Sequence, residues 1–172
     1  MKNIIIGVTM LLISQSSFSQ SLTLTELIDL NKMSFDNFDT YVINKDYSFA
    51  STVQSKYRDG SLHYDNKTYS TKLNGSEASY FITKYISEST SISKSRMIRY
   101  QTLKSKDYAM LKKEIRDLSF LLIKNYSLSD SIIVFEYKKD AIELQVFSHS
   151  NKNDTGKPIN AYEICLTTYG PF

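Results

Sequence analysis

The spacing of apolar residues changes period along this chain, and each change marks an element. Leu24, Leu27 and Ile28, with Met33 beyond them, form one apolar stripe, and Thr23-Leu24-Thr25-Glu26 has the spacing of a helix capping box. A short helix over 24–32 is predicted. Ser34 then offers an N-cap ahead of Phe35, Phe38, Tyr41 and Val42, whose three- and four-residue steps predict a second short helix closed by Asn44-Lys45-Asp46. From Tyr47 the period is two, with Tyr47, Phe49, Ser51 and Val53 on one side of a strand, and Arg58-Asp59-Gly60-Ser61 supplies hairpin turn chemistry. Further strands at about 61–71, 78–88 and 93–102, divided by Asn74-Gly75 and by the Ser/Thr cluster 88–93, complete a four-stranded antiparallel meander.

The period of 3.6 returns over 106–124, where Tyr108, Leu111, Ile115, Leu118 and Leu122 line one face and Lys112, Lys113, Arg116 and Asp117 the other. Two strands follow, Ser131–Lys138 and Ala141–His149, joined by a tight Lys-Lys-Asp turn. After a polar loop, Ser150–Pro158, a last strand points Tyr162, Ile164 and Leu166 one way and Glu163, Cys165 and Thr167 the other. The expected order is α-α-β-β-β-β-α-β-β-β, an α+β chain with helices packed on one face of an antiparallel sheet. A three-residue internal echo joins Tyr47-Ser48-Phe49 to Tyr126-Ser127-Leu128, each following an expected helix.

The N-terminus belongs to none of this. Lys2, an apolar run from Ile4 to Ile13 and the small-x-small triplet Ser17-Phe18-Ser19 have the three parts of a secretory leader, with cleavage expected after Ser19. The expected organisation is a signal peptide over 1–19 and one domain over 20–172, working in the periplasm or outside the cell. No cysteine follows the cleavage site, so no lipid anchor is expected, and no later apolar stretch reaches membrane length.

The full chain carries 21 basic and 18 acidic residues, a net charge of +3. With Lys2 gone the balance is milder still, and it suggests no nucleic-acid partner. Thirteen Tyr and nine Phe stand beside no Trp, a bias suited to a sheet with one wet side. Cys165 is the only cysteine, so no internal disulfide forms.

Candidate chemistry is thin. Cys165 with His63 or His149 lacks a local nucleophile signature, and two histidines so far apart lack zinc-ligand spacing. The loop Asn151–Gly156 begins like a calcium loop, but its twelfth position is Tyr162, not a bidentate Glu. Ser91-Ile92-Ser93-Lys94 has no helical context, Asp36 and Asp39 read as a solvated helix face, and five scattered glycines form no phosphate loop. No catalytic residue, cofactor or metal is expected.

One stretch stands out. Residues 92–116 hold eight basic residues, among them Lys94, Arg96, Lys112, Lys113 and Arg116, against Asp107 and Glu114. Such a patch suits an anionic partner: an acidic protein surface, a glycan or a lipid headgroup. Tyr85 and Tyr100 in neighbouring strands add to it. Arg96 shares a strand face with Lys94 and opposes Arg99, so the patch is coherent only where strand and helix lie side by side.

The leader ending Ser-Phe-Ser-Gln and the Tyr/Lys/Asn/Ser-rich chain resemble the uncharacterised small exported α+β proteins of Bacteroidetes-type bacteria. That resemblance implies export and brings no catalytic residues. The helix-then-meander order also resembles small secreted inhibitors built from two such units, whose sheet faces a partner enzyme. The reading that follows is an exported non-enzymatic binding module. The alternative is a small envelope hydrolase or lyase acting on glycan or peptide, and convergence of titratable groups in a cleft would distinguish it.

Overall fold

The computed structural model describes residues 21–56, 62–71, 80–89, 95–152, 156 and 158–170, with backbone alone at 54–56, 62–64, 88–89 and 151. The leader, the turn at Arg58–Ser61, Asn74-Gly75, Ser91–Lys94 and Asn153–Thr155 lie outside these residues.

Thr23 begins the first helix as its capping box requires. Its hydroxyl accepts from the Glu26 N–H while the Glu26 carboxylate accepts from the Thr23 N–H, and α1 runs Leu24–Lys32. Ser34 caps α2, Phe35–Asn44, by accepting from the Asn37 N–H. Four strands follow, β1 Tyr47–Lys56, β2 Leu62–Thr71, β3 Tyr80–Ser89 and β4 Ser95–Thr102. After α3, Ser105–Asp117, come β5 Leu121–Ser129, β6 Ile132–Lys139, β7 Ile142–Lys152 and β8 Pro158–Tyr169. Together these are three helices and one eight-stranded antiparallel sheet of order β1-β2-β3-β4-β8-β7-β6-β5, an α+β chain.

The expected order lacked β5. The long helix expected over 106–124 ends at Asp117, and its last seven residues turn and enter a strand. Ser119 takes φ 59°, and the Phe120 N–H bonds to Ile115 O, which aims the Phe120 ring into the core. Leu118 and Leu122 therefore belong to the helix end and to a strand. The expected loop at Ser150–Pro158 is also shorter, because β7 continues to Lys152 and β8 begins at Pro158.

Strand order turns the two meanders into halves that meet antiparallel at β4·β8, from Ser95↔Tyr169 to Thr102↔Tyr162. The three-residue echo does not mark these halves, since Tyr47 opens β1 while Tyr126 lies within β5.

Alternation along each strand separates two faces. Tyr69, Ile82, Ile98, Tyr100, Ile164, Leu166, Leu144 and Val146 are buried with Leu24, Leu27, Leu30, Phe38, Leu111 and Ile115 of the helices. Polar bonds tie the layers. Leu22 N–H donates to the Tyr100 hydroxyl, and Tyr80 donates to Asp107 of α3 at 2.6 Å. Lys84, wholly buried, donates to Leu30 O at 2.7 Å and Asn31 O at 2.9 Å, satisfying carbonyls at the end of α1. On α2, Phe38 meets Tyr69 edge to face at 5.7 Å, and Asp39 is ion-paired with Lys67 and is no solvated acid.

Candidate functional site: the helix-free face of the sheet

Strand residues of the other parity point away from the helices, and among the described residues no helix crosses them. The register lines up one position from every strand: Ser51, Thr68, Thr83, Arg99, Cys165, Gln145, Glu136 and Lys124 are successive Cα partners from β1 to β5. A polar row thus crosses the whole sheet.

From Thr68 to Lys124 its members are bonded to one another or to the rows beside it. Thr68 and Thr83 share a hydroxyl contact at 3.0 Å. Arg99 Nε lies 3.1 Å from Glu163 Oε1, with its guanidinium 5.9 Å from the Tyr85 ring centre. At the far end Glu136 accepts from Tyr126 at 2.8 Å and Gln145 at 3.1 Å, with Lys124 Nζ at 3.3 Å. Burial opposes ionisation of Glu136, but the bonds from Tyr126, Gln145 and Lys124 outweigh it and lower its pKa. Phe81, Tyr85, Phe147 and Tyr126 flank the row, and Val134 is fully buried between Phe147 and Tyr126.

Cys165 sits in the row's centre, 5% exposed, with its thiol donating to Glu163 at 3.3 Å. Burial, then the Glu163 charge, push that thiol up to about 12 against the opposing pull of Arg99. At neutral pH the proton stays on this thiol, which makes it a poor nucleophile. His149 stacks with Phe147 at 6.2 Å, and the side chain of His63 lies outside the described residues. Among the described residues no three of His, Cys, Asp and Glu gather as metal ligands. None of their helices is long and apolar enough to cross a membrane.

The basic patch divides. Lys112, Lys113 and Arg116 are exposed together on α3. Lys112 Nζ sits 5.4 Å from the Tyr108 ring centre and 5.7 Å from that of Phe135, and Lys113 pairs with Asp117 at 2.6 Å. Lys112 and Arg116 line a cavity of about 300 Å³ with Ala109 and Tyr137. Arg96 donates to Lys32 O at 3.0 Å, at the C-terminal end of α1, while α3 meets the other end through Glu114 and the Leu24 N–H. A nine-residue helix, roughly 13 Å, stands between them. Lys94 lies outside the described residues. Tyr100 does not join the patch, because its parity places it wholly in the core, while Tyr85 is on the opposite face with Arg99.

The polar row escaped the sequence reading because its residues come from eight strands whose neighbours are set by the β4·β8 junction. Strand parity alone could have assigned Arg99, Glu163 and Cys165 to one side; their alignment needed the register. Compared with family models, curated proteins and solved structures, the chain matches none.

Proposed function

We propose that this chain is an exported, non-enzymatic binding module that holds a protein partner on the helix-free face of its sheet, in the periplasm or outside the cell. The carrying observation is the polar row that crosses all eight strands, with its side chains from Thr68 to Lys124 already bonded into place. Such pre-organisation lowers the ordering cost of association. Eight strands about 4.8 Å apart and nine or ten residues at about 3.3 Å give a face of roughly 35 by 30 Å, enough for the 800 Å² or so that each partner contributes to a standard interface. Tyrosine, phenylalanine and arginine are the residues that interfaces favour, and here Tyr85, Tyr126 and Phe147 stand beside a row that contains Arg99. Arg99, Lys124 and Lys138 balance Glu136, Glu143 and Glu163, so the face suits a protein surface of mixed charge. The leader and the style of the chain support a place among small exported proteins of Bacteroidetes-type bacteria.

A second reading rests on α3, where Lys112 and Arg116 border a cavity floored by Tyr137. It suits an anionic partner. The hydrolase or lyase alternative draws no support from Cys165, whose thiol is held protonated. Photo-crosslinking in the native host distinguishes the surfaces. A benzophenone side chain at Gln145 is expected to give one discrete protein adduct, and one at Lys113 none. Adducts from Lys113 alone would transfer the function to α3, and N-terminal sequencing of the exported protein should begin at Gln20.

A further inference from the structure

Strand β5 ends the sheet, so the outer side of its backbone has no strand beside it among the described residues. Natural edges are blunted by charge, proline, brevity or bulges, and of these β5 has one lysine and two bulges. β5 has nine residues, no proline and one charge, Lys124, while Leu121, Leu122, Ile123 and Leu128 are 71, 53, 59 and 58% exposed. The other edge, β1, is rich in serine and threonine and has α2 against it.

The pairing of β5 with β6 skips Ile123 and Leu128 at two irregularities. What remains in the ladder is Leu121, Leu122, Lys124, Asn125, Tyr126, Ser127 and Ser129, with Asn125 at its centre. A two-fold axis through Asn125, perpendicular to the sheet, sets Leu121 opposite Ser129 of a second copy, Leu122 opposite Ser127, and Lys124 opposite Tyr126. Each pair shares a face. Leu122, Asn125 and Ser127 partner Tyr137, Phe135 and Ile133, whereas Leu121, Lys124, Tyr126 and Ser129 partner Lys138, Glu136, Val134 and Ile132. The strand's single charge never meets itself. Lys124 meets the Tyr126 ring and the Glu136 carboxylate bonded to it, repeating across the axis the 5.1 Å ring contact and the ion pair it makes within its own chain.

We propose that β5 pairs antiparallel with β5 of a second copy about an axis through Asn125. The product is one continuous sheet of two eight-stranded halves with both helix-free faces on the same side. The chain uses the same device internally, where β4 and β8 join its two meanders edge to edge. This inference does not depend on what the helix-free face binds.

Sedimentation equilibrium of the purified protein from about 1 to 100 μM tests it, the expected result being a reversible dimer. Asn125→Lys places two ammonium groups face to face at the axis and should weaken the dimer about fivefold or more. Asn125 is exposed, so the thermal midpoint at low concentration should not move. Asn125→Asp should weaken the dimer similarly, and an equal mixture of the two variants should restore it. Val53→Lys on β1 should leave it unchanged. A monomer throughout the range overturns the proposal, as does a dimer that Val53→Lys breaks and Asn125→Lys leaves intact.

Discussion

Glu26 and Lys45 lie 2.7 Å apart, tying the first turn of α1 to the residue that closes α2. The same carboxylate accepts from Thr23 N–H and from the Tyr41 hydroxyl at 2.6 Å. Burial alone would raise the Glu26 pKa, but the bonds from Lys45, Thr23 and Tyr41 overcome it and hold the group at about 2. A carboxyl depressed in the folded state contributes stability above its unfolded value of 4.5 and loses it as pH falls toward 2. Glu26→Gln should cost roughly 1–3 kcal/mol at pH 7, allowing for the group's partial exposure. Urea midpoints of variant and parent should converge by about pH 2. An equal deficit at pH 7 and pH 2 would show that Glu26 acts by shape and not by charge.

Lys84 predicts the opposite end of the pH scale. Burial, then the Arg96 charge, push its ammonium down to about 8 from 10.5. Between those values the unfolded chain keeps a proton that the folded chain has released, so stability rises with pH across that window. Above about 9 the trend reverses, as the buried Cys165 thiol keeps a proton that the unfolded chain loses. Nearer pH 10, Tyr47, Tyr80 and Tyr100, raised chiefly by burial, do the same. Urea unfolding at pH 7, 9 and 11 should place the maximum near 9, and Lys84→Met should flatten the rise while leaving the later fall. A steady decline from pH 7 in the parent would contradict the buried ammonium.

Helix α3 tests packing. Ile115 is 1% exposed, so Ile115→Ala should cost about 2–5 kcal/mol. Leu118, half-buried at the helix end, should cost less, and Lys113→Ala no more than about 0.5 kcal/mol, the scale of its i,i+4 pair with Asp117. Equal urea midpoints for Ile115→Ala and Lys113→Ala would mean that the helix is turned the other way.

The same helix marks where the sequence stops being legible. Local chemistry was sufficient for α1 and α2, because Thr23, Glu26 and Ser34 act on N–H groups three residues away. It was also sufficient for the strands of the β1–β4 meander, whose alternation is local. At Leu118–Leu122 it misled. The three- and four-residue spacing of Leu111, Ile115, Leu118 and Leu122 continues the helical stripe, yet Phe120 is the residue that enters the core, and β6 offers a ladder to the chain beyond it. That competition is tertiary, and no window of a dozen residues contains it. The helix-free row is harder still. Arg99 and Cys165 become neighbours only because β8 inserts beside β4, and Gln145 and Glu136 because β7 and β6 follow it back.

Cys165 offers the most direct test of the binding reading against the enzymatic one. The residue is 5% exposed in the middle of the sheet, and burial with the Glu163 charge keeps the proton on. A thiol of this kind is a poor nucleophile, since attack requires both thiolate and access. A disulfide reagent such as dithionitrobenzoate should find no reactive thiol in the folded protein at pH 8, and one per chain in guanidinium. Its rate across a denaturant series should follow the unfolding transition, because opening the β4·β8 junction is what uncovers the sulfur. Arg99→Gln removes the one influence that favours the thiolate and should leave the native thiol as inert as before. Rapid native labelling that Arg99→Gln suppresses would instead identify an activated cysteine and return the face to the enzymatic alternative.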